Sequence, residues 1–142
     1  MREILFRGKV ARDCVGVSTQ RKYKKGTWVF GDLSHTNYDP PLIDQNNDDP
    51  VPVDPSTVGQ YTGRTDKNGK RVFEGDIIRL YNGAVGVVLW SDNDQAYLIF
   101  QDPVKMVILD DFGNYGRPEY YEVIGNIYDN PELLEGGTDN GV

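Results

Sequence analysis

The sequence has few of the residues from which most catalytic and metal sites are built. It contains one cysteine, Cys14, and one histidine, His35. A single cysteine excludes an internal disulfide and fits a reducing compartment. The sequence also has neither a secretory signal pattern nor an apolar run of about 20 residues, the length that a membrane helix needs. We therefore expect a cytoplasmic protein without a membrane segment.

Helical periodicity is missing as well. No window of about twelve residues repeats apolar side chains at positions i, i+3, i+4 and i+7 without an intervening Gly or Pro. Instead, β-branched and aromatic runs alternate with clusters of Gly, Asp and Asn, a pattern typical of short strands and turns. The sequence therefore predicts a mainly β fold.

The charge is acidic overall but unevenly distributed. The formal net charge is −7, which works against unaided binding to nucleic-acid phosphates. Residues 32–54 contain six aspartates and no Lys or Arg, whereas residues 1–25 are basic. The two segments can pair within the molecule or present different faces to partners. The cations of the basic segment are Arg2, Arg7, Lys9, Arg12, Arg21, Lys22, Lys24 and Lys25.

Residues 1–57 are predicted to form a β-meander followed by a long loop. The loop, residues 34–56, contains five prolines and many Asn and Asp residues, which favour turns over regular strands. Val51 and Val53 favour a short pairing there, which the neighbouring prolines confine to a sheet edge. The strands of the meander are predicted at Arg2–Arg7, Cys14–Ser18 and Thr27–Leu33.

Residues 58–135 are predicted to form a second domain. Asp66–Gly69 is a strong turn sequence, because Asp can bond to the backbone ahead of it and Gly69 tolerates positive φ. Asn82-Gly83 is a strong hairpin signal. The five short strands between Gly75 and Ile127 predict a small SH3-like antiparallel barrel or roll.

The end of the chain carries one helical signature. Asn130-Pro131-Glu132 places a capping residue before a proline and an acid in the first turn. This pattern predicts a short C-terminal helical turn, and residues 136–142 are predicted to be a flexible tail.

Acidic residues in the predicted loop raise the question of a metal site. Asp44, Asp48, Asp49 and Asp54 could together bind a hard cation such as Ca²⁺. Their spacing lacks the glycine and the terminal bidentate glutamate of an EF-hand loop. A solvated acidic loop explains them better, and no metal site is predicted.

Two pairs of acids resemble the carboxylates that flank a glycosidic bond. Asp92 with Asp94, and Asp110 with Asp111, lie in turn-like sequence where Asp is common for backbone reasons. His35 lies between a predicted strand and the proline-rich loop, which favours a surface position over a catalytic one. The glycines fit neither a phosphate-binding loop nor a dinucleotide-binding loop. The sequence therefore predicts no catalytic residue and no cofactor.

Aromatic residues near the end of the second domain are the best candidates for contact with a partner. Most aromatic side chains alternate within strands and are expected in the core. SH3-like barrels can also expose aromatics in a groove that takes an extended peptide or a single-stranded nucleic acid. Tyr115, Arg117, Tyr120 and Tyr121, in or beside a glycine-rich loop, are the predicted partner-binding residues.

Five stretches of the sequence match a known pattern: Met1–Lys9, Gly26–Leu33, Val58–Ile78, Gly86–Trp90 and Tyr121–Leu134. Together they resemble the YopX family of small bacteriophage and prophage proteins. The resemblance implies a β-rich fold with an SH3-like barrel, encoded among phage early or accessory genes, and it implies no activity, cofactor or catalytic residue. The segment Cys14–Gln20 departs from the usual family opening.

These observations lead to two functional hypotheses and one weaker alternative. The first is a non-catalytic phage or prophage accessory protein that contacts a host or phage protein in the cytoplasm. The second is a nucleic-acid-binding protein that uses the basic N-terminal segment and an aromatic barrel face. An enzymatic role has the least support, and self-association through open sheet edges is a further expectation.

Overall fold

The computed structural model describes residues 3–34, 40–45, 49–101, 105–108 and 118–134. These residues form mainly antiparallel strands, with two single turns of 3-10 helix at Pro55–Thr57 and Pro118–Tyr120. The predicted mainly β fold is confirmed. The strands are β1 Phe6–Lys9, β2 Cys14–Val15, β3 Lys22–Tyr23, β4 Trp28–Ser34, β5 Leu42–Asp44, β6 Pro50–Pro52, β7 Gly59–Thr65, β8 Arg71–Phe73, β9 Asp76–Leu80, β10 Val85–Ser91, β11 Ala96–Gln101, β12 Lys105–Ile108 and β13 Tyr121–Asn126.

The chain divides into two compact units, Met1–Tyr61 and Thr62–Val142. In the first unit the strands lie in the order β6-β5-β4-β1-β7. Strands β1 and β4 pair antiparallel, with Lys9 opposite Trp28. Strands β2 and β3 form a separate two-stranded hairpin, in which Cys14 lies opposite Tyr23.

The core of the first unit includes residues from the segment that was predicted to be a loop. Val10, Val29, Ile43, Val51 and Val53 form one buried cluster. The loop prediction is wrong for β5 and β6, because their central apolar residues are buried in this core. The predicted edge pairing is confirmed: β6 lies at the sheet edge, where prolines, which lack an N–H, are tolerated.

The second unit contains a five-stranded antiparallel sheet in the order β12-β11-β10-β9-β13. Its core includes Ile78, Val88 and Ile99 of the inner strands and Tyr121 and Val123 of β13. The predicted Asn82-Gly83 hairpin joins β9 to β10, and Gly83 has a φ of 89°. Within the described residues, neither of the two large sheets closes on itself.

The C-terminal helical turn is present at residues 132–134. The Leu133 N–H donates to the backbone carbonyl of Asn130. The Asn130 side chain accepts from the Asn126 N–H at 3.2 Å, so it satisfies a backbone donor at the end of β13. No helix in the described part of the chain is long and apolar enough to cross a membrane.

Candidate functional site

The structure describes two of the four predicted partner-binding residues, Tyr120 and Tyr121. Six residues that the sequence singled out lie outside the described residues: Tyr115, Arg117, His35, Asp48, Asp110 and Asp111.

Tyr121 is not exposed, contrary to the expectation for it. Its side chain has 1% of its surface accessible and belongs to the core of the second unit, and its hydroxyl donates to the Thr65 carbonyl at 3.0 Å. Alternation along β13 directs the Tyr121 side chain inward, so packing in the core explains the aromatic residue at this position.

Tyr120 lies at the surface beside a tyrosine that sequence reasoning missed. The ring centroids of Tyr120 and Tyr81 are 5.2 Å apart and the planes are tilted by 42°. The Tyr81 N–H donates to the Tyr120 carbonyl at 2.8 Å, which fixes the two backbones together. Tyr81 is 63% exposed. Its position directly before the Asn82-Gly83 turn, after the buried Leu80, is the signal that points to an outward side chain.

Charged side chains lie on and near β9 and β13, the two strands that the tyrosine pair adjoins. Arg79 on β9 is opposite Glu122 on β13, and the guanidinium lies 3.8 Å from the Glu122 carboxylate. The Lys67 ammonium lies 3.6 Å from the same carboxylate. The second unit therefore presents an aromatic pair, one ring exposed and one half-buried, with a charged border.

Asp49, a candidate cation ligand, holds the hairpin of the first unit instead. The residue is fully buried, and its Oδ1 accepts from the Ser18 N–H at 2.5 Å and from the Thr19 N–H at 3.2 Å. Its Oδ2 accepts a very short hydrogen bond from the Thr19 hydroxyl. The carboxylate therefore fixes the turn of the β2–β3 hairpin.

These contacts lower the pKa of Asp49 below its usual value of 3.8. The Thr19 hydroxyl is the main cause, and the Ser18 and Thr19 N–H groups and the charge of Arg21 act in the same direction. Burial acts against them, because it disfavours the charged form. The folded hairpin thus favours an ionised Asp49.

We expect the Asp49 contacts to weaken under strongly acidic conditions. Since the folded pKa lies below the unfolded value, the stabilisation is fully present above pH 3.8 and is lost as the pH falls through the lower, folded pKa. NMR titration of the Asp49 carboxyl carbon and the Ser18 and Thr19 amides should show a shared transition below pH 3.8. The transition should be missing in Asp49→Asn, and a midpoint at or above 3.8 would contradict the assignment.

Other aspartates also serve the backbone. Asp66 and Asp76 are buried and accept backbone N–H groups, Asp54 caps the Pro55–Thr57 turn, and Asp92 accepts from the Trp90 indole at 2.7 Å. Within the described ranges, no three His, Cys, Asp or Glu side chains gather closely enough to hold a metal ion.

The basic N-terminal segment divides into two parts in the structure. Arg7 is buried, and its guanidinium carbon lies 4.6 Å from the ring centroid of Trp28, while the Lys9 ammonium lies 5.4 Å from it. These two cations pack on the aromatic ring. The other described cations of the segment lie on or beside the β2–β3 hairpin and are exposed: Arg12, Arg21, Lys22, Lys24 and Lys25.

Comparison with known proteins places the chain in a family. The family model described as YopX protein matches residues 9–135. No curated protein matches the chain. Among solved structures, it is similar to the crystal structure of protein EF1440 from Enterococcus faecalis, with 21% sequence identity, 94% of this chain and 99% of that chain covered, and a TM-score of 0.44. Because the family match spans most of the sequence, the chain belongs to the YopX family.

Proposed function

We propose that the protein is a non-catalytic accessory protein of a bacteriophage or prophage, which acts in the host cytoplasm by contacting another protein. The contact between the exposed Tyr81 and the half-buried Tyr120 is the observation that supports this best. Tyrosine is enriched at the energetic centres of protein interfaces, because it offers a large contact area at a small cost in side-chain entropy.

The setting of the pair also supports a contact role. Both residues adjoin paired strands, so their backbones are positioned before a partner arrives. Arg79, Glu122 and Lys67 provide a polar border of the kind that surrounds aromatic anchors. A partner with an apolar pocket and a few surface charges fits this surface.

The use of the carboxylates supports a non-catalytic role. Buried acids that could be general acids or bases in an enzyme, such as Asp49 and Asp66, accept hydrogen bonds from backbone N–H groups. A carboxylate held in that way has few lone pairs left for a substrate.

Two finer structural features stay predictions. Strands β9–β13 have the number and antiparallel pairing of strands that an SH3-like barrel requires. Strands β12 and β13 end the five-stranded sheet, and such edges are where self-association is expected.

A photo-crosslinking experiment tests the proposed contact. Benzoylphenylalanine at Tyr81, in protein expressed in host cells, should give an adduct with one defined protein. The same amino acid at Asn93, in an exposed turn of the second unit, should not give that adduct. If no adduct forms at Tyr81, or if both positions give the same adducts, the proposal fails.

Once the partner is identified, Tyr81→Ala should weaken the complex by about 30-fold, which corresponds to a hot spot of about 2 kcal/mol. Because Tyr81 is 63% exposed, the free energy of unfolding should change by no more than about 0.5 kcal/mol. Calorimetric titration and urea unfolding measure the two effects. An unchanged affinity would remove Tyr81 from the interface.

A further inference from the structure

The β2–β3 hairpin concentrates positive charge in an acidic protein. Residues 12–25 contain five Lys or Arg and one Asp, a net charge of +4, so the other residues must carry −11 to give the total of −7. The single acid, Asp13, accepts the Lys25 N–H at 2.8 Å. A local charge of this sign attracts polyanions even when the whole chain is acidic.

One face of the hairpin packs on the core and the other is exposed. Cys14 and Tyr23 pack against the core cluster of the first unit. Val15 and Lys22, the next pair in register, are exposed, and Val17 is 83% exposed. The outer face therefore combines cations with aliphatic side chains.

The hairpin turn is held in one conformation at some energetic cost. The fully buried carboxylate of Asp49 accepts from Ser18 and Thr19, which are 31 and 30 residues away in sequence. Gln20 has a φ of 63°, a left-handed conformation that is unfavourable for a residue with a side chain. Strained backbone that is fixed by its surroundings is concentrated at functional sites.

We propose that the outer face of this hairpin binds double-stranded nucleic acid. A two-stranded β-ribbon is an element that enters the major groove, which is about 12 Å wide in B-form DNA. The exposed lysines and arginines would contact phosphates on the groove walls. Val15 and Val17 would reach apolar base edges such as the thymine methyl group.

The composition of the face favours a duplex over the other polyanions. Proteins that bind single strands use exposed aromatic rings on which bases stack, and the aromatic residue of the hairpin strands, Tyr23, packs on the core. An acidic protein is the remaining alternative. The ribbon shape and the density of cations favour the regular phosphate array of a duplex.

Fluorescence anisotropy with a labelled duplex of mixed sequence, about 20 base pairs long, tests the proposal with the full chain. Wild-type protein should bind with a Kd on the order of 10 µM at about 50 mM salt, and five phosphate contacts predict a slope of log K against log salt of about −4.5. A single strand of the same length should bind more weakly. Absence of duplex binding, or equal binding of the single strand, would overturn the proposal.

Two charge-reversal variants localise the site. Lys22→Glu with Lys24→Glu should weaken duplex binding at least tenfold and make the salt slope shallower by about 2. Lys70→Glu with Arg71→Glu makes the same change in net charge at exposed cations of the second unit, and it should change the affinity by less than about threefold. Circular dichroism checks that both variants fold. Equal losses in the two variants would show a general charge effect and overturn the assignment to the hairpin.

Two further measurements separate the remaining alternatives. Polyglutamate should compete poorly with the duplex, and competition at equal charge concentration would assign the face to an acidic protein instead.

Asp49→Ala tests whether the fixed turn of the hairpin matters. It raises the net charge by one, which by itself strengthens binding to DNA, but it removes the carboxylate that holds the turn. If the fixed hairpin is the binding element, this variant should bind more weakly than wild type, and tighter binding would overturn that part of the proposal.

Discussion

Replacing Asp66 by alanine is expected to lower the free energy of unfolding of the second unit by about 4 kcal/mol. Asp66 is 3% exposed, and its Oδ1 accepts from the Asn68 and Lys70 N–H groups, both at 2.9 Å. Its Oδ2 accepts from the Val123 N–H, also at 2.9 Å. One carboxylate therefore closes its own turn and joins that turn to β13.

The three N–H groups that Asp66 accepts from will respond differently to the loss of its carboxylate. Asn68 and Lys70 are exposed, so water can replace the carboxylate at their N–H groups. Val123 is buried, so its N–H will be left without an acceptor, and an unsatisfied buried donor costs about 1–3 kcal/mol.

Asparagine at position 66 tests the hydrogen bonds of the carboxylate more directly than alanine does. The amide keeps one acceptor oxygen but turns an NH₂ group toward either the turn or Val123, where it meets another donor. Asp66→Asn should therefore cost about 2 kcal/mol, less than alanine but more than a surface change. Urea unfolding monitored by tryptophan fluorescence measures both variants.

Asp92→Ala is the matched control for Asp66. Asp92 also accepts one hydrogen bond in a turn, from the Trp90 indole, but it is exposed. Its replacement should cost about 0.5 kcal/mol. Equal losses at the two positions would contradict a special role for Asp66.

Features that depend on neighbouring residues could be predicted from the sequence. The Asp66–Gly69 turn is confirmed: Asp66 bonds to the backbone ahead, and Gly69 has a φ of 80°. The bend at Glu74–Asp76 has a similarly local cause, since Gly75 has a φ of 92°. In both cases a few adjacent residues contain the whole physical cause.

Features that depend on distant residues could not be predicted. The acceptor role of Asp49 requires residues 30 positions away, and no spacing rule connects them. Strands β5 and β6 are three residues long and adjoin prolines, so their alternation is too short to detect. They become strands because Ile43 and Val51 lie opposite each other in a core assembled from other strands.

Tyr120, which ends the 3-10 turn, and Tyr121, which begins β13, show the same limit at smaller scale. Alternation predicts that only one of Tyr120 and Tyr121 faces the core, but it does not say which. The choice depends on the register with β9, where Tyr121 lies opposite Leu80, and that register shifts between Val123 and Gly125. Sequence analysis therefore named Tyr120 of this candidate surface, missed Tyr81, and expected an exposed side chain at Tyr121, which is buried.

The second large effect is expected at Gly16, where the hairpin meets Asp49. Gly16 is buried, and a Cβ atom there would overlap the Asp49 carboxylate, with Asp49 Cβ at 3.0 Å. Gly16→Ala must therefore displace the carboxylate that accepts from Ser18 and Thr19. We expect it to lower the free energy of unfolding by about 3 kcal/mol, the upper range for overpacking a filled site.

This explanation makes a specific prediction about the double variant. In an Asp49→Ala background the carboxylate is gone and only the Cβ of residue 49 stays close, at 3.0 Å, so adding Gly16→Ala should cost less than about 1 kcal/mol, because substitutions at contacting residues are not additive. Gly26→Ala is the control: Gly26 has a φ of 88° and open space around its Cβ position. Its cost of about 1 kcal/mol comes from backbone conformation, and it should be the same in both backgrounds.

Urea unfolding measures the coupling. It compares the wild type, the two single variants and the double variant of Gly16→Ala and Asp49→Ala, together with Gly26→Ala in the wild-type and Asp49→Ala backgrounds. Hydrogen exchange at the Ser18 and Thr19 amides shows whether the loss lies in the hairpin: protection should fall in either single variant. If Gly16→Ala costs the same with and without the Asp49 carboxylate, the collision is not its cause. The hairpin turn would then be held by its own backbone bonds, such as that from the Gly16 N–H to the Arg21 carbonyl, rather than by Asp49.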